Sequence, residues 1–252
     1  MSGLPQIRIV QAQEEWAAAA AAIVHEARNE SVEDHGRFLI ALSGGTTPER
    51  LYNRLASPPY VDQFDWSQTV FFFSDERCVP PDHPDSNFGL ANRAFFRPLK
   101  IHPDHIYRMN GEQADPESAA RDYEQRLRMA CGASSGNWPQ LDLVLLGLGQ
   151  DGHTASLFPG TAAVNEQQHA VTVGHAPSGP PTRLTLTLGV INRASVILFL
   201  VTGANKAGIV RTVLEPHTDA DRGLPAAMVN PERGRLIWLL DRAAAAELTT
   251  YY

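Results

Sequence analysis

Apolar residues fall along this chain in short blocks, separated by stretches in which they recur at helical spacing. "QIRIV" (residues 6–10) reads as a strand, and an alanine-rich amphipathic helix follows over residues 14–32, with acids near its start. "RFLIALS" (residues 37–43) is a second strand. It leads into a helix over residues 48–56 with Pro48 in its first turn and Thr47 as the expected N-cap. "TVFFFS" (residues 69–74) is apolar and too short for a helix, so it reads as a strand buried on both faces. Ser86 is expected to cap a helix reaching residue 96, and Asp115-Pro116 opens another that runs to about residue 130.

Residues 141–148 form another largely apolar strand, followed by a short one at 170–173. "RLTLTLGVI" (residues 183–191) alternates with period two, which suggests a more exposed or antiparallel strand. A strand at 196–201, a helix at 206–214, a strand at 235–240 and a final alanine-rich helix complete the pattern. Apolar strands alternating with helices predict an α/β fold: a mostly parallel sheet covered by helices on both faces, with a few antiparallel strands. No repeat or linker divides the chain, so residues 1–252 read as a single domain.

Ligands bind such sheets at the carboxyl ends of the strands. Here those ends carry Ser43-Gly44-Gly45, then Asp75-Glu76-Arg77, then Asp151-Gly152-His153. The net charge of −7 argues against broad nucleic-acid or anionic-membrane binding, so an anionic ligand would need a locally positive pocket. No apolar run approaches the ~20 residues of a membrane span. No signal peptide is visible, and a cytoplasmic protein is expected. Cys78 and Cys131 form no disulfide framework.

Three local patterns point elsewhere and are set aside. Gly147-x-Gly149-x-x-Gly152 matches a dinucleotide fingerprint, but Pro159-Gly160 stops any helix within two turns and no acid follows a second strand. "ALSGG" (residues 41–45) resembles a nucleophile elbow around Ser43. The small residues that follow, Gly44, Gly45, Thr46, Thr47 and Pro48, instead present amides and hydroxyls to an anion at a helix start. Asp151 with His153, or His102 with His105, lacks further ligands of a metal site, so no metal and no cofactor are expected.

Five segments in order, "LSGGTTPERLY" (42–52), "SDERCVPPDHPDSN" (74–87), "LGLGQDGHTASLFPG" (146–160), "RLTLTLGVIN" (183–192) and "VTGANKA" (201–207), resemble the 6-phosphogluconolactonase family. The resemblance implies a modified Rossmann-like fold and hydrolysis of 6-phospho-D-glucono-1,5-lactone to 6-phosphogluconate in the oxidative pentose phosphate pathway. It implies His153 as acid and base, with Asp151 orienting it. Phosphate would sit on residues 43–47 with Arg183 and Lys206, and Arg77 would steady the hydroxyls or the developing oxyanion. Asp75 and Asn87 are further candidates for the same pocket.

The expected partner is therefore a small sugar-phosphate lactone, bound by a monomer or small homo-oligomer. Glucosamine-6-phosphate deaminases are the nearest alternative. They carry an acid five residues after the histidine, where this chain has Phe158, and an aromatic where it has Arg77. A non-catalytic sugar-phosphate sensor is the other alternative; such proteins usually add a DNA-binding helix pair, for which the residues before Arg37 leave no room.

Overall fold

The computed structural model describes residues 4–134 and 136–250. Strand β1 (Gln6–Val10) leads into helix α1 (Gln13–His35), and β2 (Phe38–Leu42) into α2 (Thr46–Leu55). Strand β3 (Thr69–Phe73) is followed at once by the short β4 (Asp75–Arg77). A helix over residues 87–99 (α3) contains a π turn at Asn92–Phe96. Helix α4 (Pro116–Cys131), β5 (Leu143–Leu146), β6 (Val171–His175), β7 (Thr182–Leu186), β8 (Val196–Val201), α5 (Ala207–Leu214) and β9 (Arg235–Asp241) follow.

Six strands form one sheet in the order β1-β9-β8-β5-β2-β3, and every neighbouring pair is parallel. The remaining three make a small antiparallel sheet, β4-β7-β6. Because side chains alternate along a strand, each buried strand serves two cores. In β2, Phe38, Ile40 and Leu42 enter the core shared with α1, α2 and α3, whereas Leu39 and Ala41 enter the core beneath α4 and α5. On that second side Phe199 of β8 stacks on Trp238 of β9 with ring centroids 3.9 Å apart. Among the described residues no helix is long and apolar enough to cross a membrane.

The mixed α/β architecture agrees with the sequence pattern, and four local expectations are corrected. Helix α2 starts at Thr46 with Gly45 as N-cap, because the Thr47 hydroxyl is engaged with Thr202 Oγ1 (3.0 Å) instead of capping. Ser86 does cap α3, accepting from Gly89 N, but the helix continues past residue 96 through its π turn to Leu99. The alternation over residues 183–191 outlasts its strand. Strand β7 ends at Leu186, and the Thr187 carbonyl accepts from Val190 N and Ile191 N to start a single helical turn.

The fourth correction concerns the alanine-rich tail, whose residues 242–247 form turns and no helix. Asp241 Oδ1 takes the Ala244 N–H at 2.7 Å, and Glu215 takes the amides of Thr249 and Thr250. Side-chain acceptors thus compete with the backbone bonds that a helix needs.

Tyr52 on α2 ties the end of β2 to the helix. Its hydroxyl donates to Ser43 O (2.6 Å) and accepts from Ser43 N (3.1 Å), in a site with no exposed surface at Tyr52. Burial pushes its pKa far above that of a free phenol, so the hydroxyl keeps its proton. Tyr52→Phe should lower unfolding stability by about 1–3 kcal/mol, because both Ser43 backbone groups lose a partner in a dry site. Urea unfolding monitored by tryptophan fluorescence measures the change.

Candidate active site

The chain turns back at β2: β3 pairs on one side of it and β5 on the other, so the loops leaving β2 and β5 diverge. A cleft of about 190 Å³ opens at these carboxyl ends. It is lined by Ser43 and Gly44 after β2, Asp75 and Arg77 of β4, and Asn87 at the start of α3. Gly147, Leu148, Gly149, His153 and Ala155 after β5, with Lys206 before α5, complete the wall. A larger cavity of about 580 Å³ lies at the opposite end of the sheet, around the His35–Asp142 pair. That pair fastens the end of α1 to β5 and is remote from the strand ends that bear the motifs.

His153 owes its position to a tight turn. Gly152 N donates to Gly149 O at 3.1 Å, and Gly149 N donates to His153 O at 2.8 Å. A Cβ on Gly149 would stand 2.0 Å from His153 Nδ1 and 2.5 Å from Asp151 Oδ1, so only glycine admits the pair. Asp151 Oδ1 lies 2.5 Å from His153 Nδ1 and also accepts the His153 backbone N–H at 3.2 Å. Burial works to raise the Asp151 pKa, but the His153 contacts outweigh it and hold the carboxyl below the usual range. A carboxylate on Nδ1 requires the proton there and leaves Nε2 as an acceptor. The Phe158 ring packs 4.4 Å from the imidazole.

The positive groups are desolvated and incompletely paired. Arg77 and Arg183 face each other across the antiparallel β4–β7 ladder. Each has a buried Nε with no hydrogen-bond partner. Burial depresses the Arg183 pKa, and the charge of Arg77 adds to that. Arg77 also donates to Asp85 O at 2.6 Å, which anchors the proline-rich loop of residues 79–85 beside the cleft. Lys206 Nζ donates to Leu148 O at 2.6 Å; burial lowers its pKa, and the charge of Asp151 acts against that. Such cations await an anion.

The acids of β4 do different work. Glu76 is 2% exposed and accepts from the backbone of Arg77, Asn87 and Phe88 and from Ser86 Oγ. Burial pushes its pKa up, against the pull of those three N–H groups. It is a bracket for the first turn of α3. Asp75 faces the other way and holds the Asn87 side chain.

Seven of the sequence candidates therefore meet in one cleft: Ser43, Gly44, Asp75, Arg77, Asn87, His153 and Lys206. Asp151 stands behind His153, and Arg183 stands beside Arg77. Gly45, Thr46 and Thr47 do not line the cleft. Gly45 caps α2, Thr46 is exposed in its first turn, and Thr47 is paired with Thr202. The His102 and His105 rings lie with centroids 6.4 Å apart, His102 beside Asp104 and His105 Nδ1 2.9 Å from Thr69 O. Sequence reasoning missed Ser156, whose hydroxyl donates to Asp75 Oδ2, and Tyr52, which holds Ser43. Both lie inside quoted segments, but nothing in their spacing sets them apart.

Comparison with known proteins places this geometry. The profile of the family described as glucosamine-6-phosphate isomerases/6-phosphogluconolactonase matches residues 11–238. A 6-phosphogluconolactonase of Nostoc is 41% identical over 219 residues, covering 87% of this chain and 88% of the relative. A probable 6-phosphogluconolactonase of Arabidopsis thaliana is 35% identical over 257 residues, covering 98% and 94%. Among solved structures, a 6-phosphogluconolactonase from Trypanosoma cruzi superposes with a TM-score of 0.85 at 30% identity, covering 99% of both chains. A monomeric glucosamine-6-phosphate deaminase reaches a TM-score of 0.79 at 27% identity, covering 96% of this chain and 99% of that one. This chain belongs to the glucosamine-6-phosphate isomerase/6-phosphogluconolactonase family.

Proposed function

We propose that this chain hydrolyses 6-phospho-D-glucono-1,5-lactone to 6-phospho-D-gluconate, with His153 as the acid–base group. The observation that carries the reading is the Asp151–His153 pair, whose free Nε2 shares a cleft with Lys206 and Arg77. A lactone carbonyl is electrophilic enough to need only a positioned water and a base near neutral pKa. Nε2 takes a proton as water oxygen bonds to C1, and the carbonyl electrons move to the oxyanion. Collapse of that intermediate breaks the C1–ring oxygen bond, and His153 returns the proton to the leaving ring oxygen. Asp151 keeps the imidazole oriented throughout and offsets its positive charge. The Arg77 guanidinium steadies the oxyanion.

The substrate's phosphate falls to Lys206, Arg183 and the Ser43–Gly44 part of the loop before α2. The reading is supported by the unpaired Nε of Arg183, the half-buried ammonium of Lys206 and the start of α2 beside Ser43. Phe158 weighs against deaminase chemistry. It lies against the histidine at the position where a proton-transferring acid would be needed, and a phenyl ring moves no proton.

His153→Ala should lower kcat by roughly 10²–10⁴, the span of a positioned acid–base group. Lactone decay must be followed against a buffer blank because the substrate also hydrolyses alone. Near-normal turnover would remove His153 from the mechanism.

Arg183→Ala or Lys206→Ala should each weaken 6-phosphogluconate binding by about 1.5–3 kcal/mol, the scale of a charge-assisted hydrogen bond. Calorimetry on both variants tests this, and unchanged affinity would move the phosphate elsewhere.

The Lys206 shift sets a pH dependence. The protonated amine binds phosphate, and burial lowers its pKa. Affinity should thus be full near neutral pH and decline as pH rises through a value below the ~10.4 of a free lysine. Product-binding calorimetry across that range would show a flat profile if Lys206 did not contact the phosphate.

A further inference from the structure

One chain of hydrogen bonds in the cleft wall has no part in the hydrolysis. Ser156 Oγ donates to Asp75 Oδ2 at 2.6 Å. Asn87 Nδ2 donates to Asp75 Oδ1 at 3.1 Å and to the Asp75 carbonyl at 2.9 Å. Ser156, Asp75 and Asn87 are 1%, 6% and 1% exposed, so water does not compete for these bonds. Both carboxylate oxygens of Asp75 are engaged, and its role is to hold rather than to accept a substrate proton.

The orientation of the Asn87 amide follows from its partners. Turned over, it would set its own oxygen against the carbonyl and carboxylate oxygens of Asp75. Nδ2 therefore faces Asp75, and Oδ1 is buried with no hydrogen-bond partner. That oxygen rests over Gly44, only 1.7 Å from where a Cβ at that residue would stand. Gly44 and Asn87 both line the cleft. Glu76 fixes the Asn87 backbone N–H from the opposite side of β4, at 2.7 Å. Backbone and side chain are thus clamped separately, and an acceptor without a donor is held over Gly44 in the wall of the cleft.

We infer that Ser156 is a positioning residue that, through Asp75, holds Asn87 Oδ1 as the acceptor for one ring hydroxyl of the lactone. Asn87 is then a determinant of specificity for lactones that carry that hydroxyl. A site built to bond a hydroxyl discriminates strongly against the analogue lacking it, because its own polar group is left unpaired. The inference rests on the lactonase reading. The Ser156–Asp75 bond also ties the loop after His153 to β4, so a purely structural Ser156 would act on the histidine instead.

The test measures kcat and KM for 6-phosphogluconolactone and its 2-, 3- and 4-deoxy analogues in the wild type, Ser156→Ala, Asn87→Ala and the double variant. The wild type should discriminate against one of the three analogues. Ser156→Ala should raise KM for the full substrate by about 3- to 10-fold, the factor of one neutral hydrogen bond. It should also narrow that discrimination and leave the pH profile of kcat unchanged. Asn87→Ala should abolish the discrimination, and adding Ser156→Ala to it should cost little more.

Equal treatment of all three analogues by the wild type would overturn the inference. So would discrimination that survives Asn87→Ala, or a Ser156→Ala variant that keeps the wild-type discrimination while its pH profile shifts. Asn87→Ala leaves the Ser156–Asp75 bond in place and carries the test should Ser156→Ala fail to fold. A wild-type protein with no turnover above the blank would instead overturn the lactonase reading itself.

Discussion

The cleft depends on β2 being buried on both faces between two parallel neighbours. Ala41 pairs with Phe72 of β3 and with Val144 of β5, and this register brings three strand ends to one level. A one-residue slip would exchange the side chains of the two cores, turning Phe38, Ile40 and Leu42 toward α4 and α5. The apolar pattern therefore sets more than stability. It fixes the height at which Ser43, Asp75 and the turn before His153 emerge, and the small antiparallel sheet lays Arg183 beside Arg77.

Holding the proposed substrate's phosphate in a protein of net charge −7 would be a local problem. Two guanidinium groups and an ammonium are gathered where the low-dielectric wall strengthens their field. Burial is unfavourable for both Arg183 and Lys206 and lowers their pKa values, and the charge of Arg77 adds to the effect at Arg183. A dianionic phosphate would relieve both penalties at once. Among the described residues the acids nearby form no direct ion pair with these cations, being hydrogen-bonded elsewhere: Glu76 to the first turn of α3, Asp75 to Asn87 and Ser156, and Asp151 to His153.

Much of this was legible in the chain because it is local. The strands reveal themselves as apolar blocks, and the residues at their ends are contiguous in sequence, as Asp151 and His153 are. What escaped was long-range or competitive. Ser156 reaches Asp75 across 81 positions, and Thr47 reaches Thr202 across 155, so neither partner can be read from spacing. The alanine-rich tail has the composition of a helix, yet Asp241 and Glu215 capture its amides, and those acceptors matter only once β9 and α5 are docked. At 183–191 the alternation continued beyond the strand because Gly189 follows the period while packing beneath Trp138, a contact that no pattern announces.

The unpaired polar atoms give the site its chemical bias. Buried groups without partners cost stability and are few in folded proteins. Among the described residues three of them, Arg77 Nε, Arg183 Nε and Asn87 Oδ1, belong to this one cleft and its border. Two are donors carried on cations, and one is a neutral acceptor. A plain anion would satisfy only the first kind, and an uncharged sugar could pair with either but would leave the guanidinium charges unbalanced. A phosphorylated ring bearing hydroxyls would satisfy both, which suits the cleft to the proposed sugar phosphate before His153 is considered. In the proposed reaction the Asp151–His153 pair then needs to select only the bond to break, and an ester carbonyl activated by its ring is within reach of an imidazole and one water.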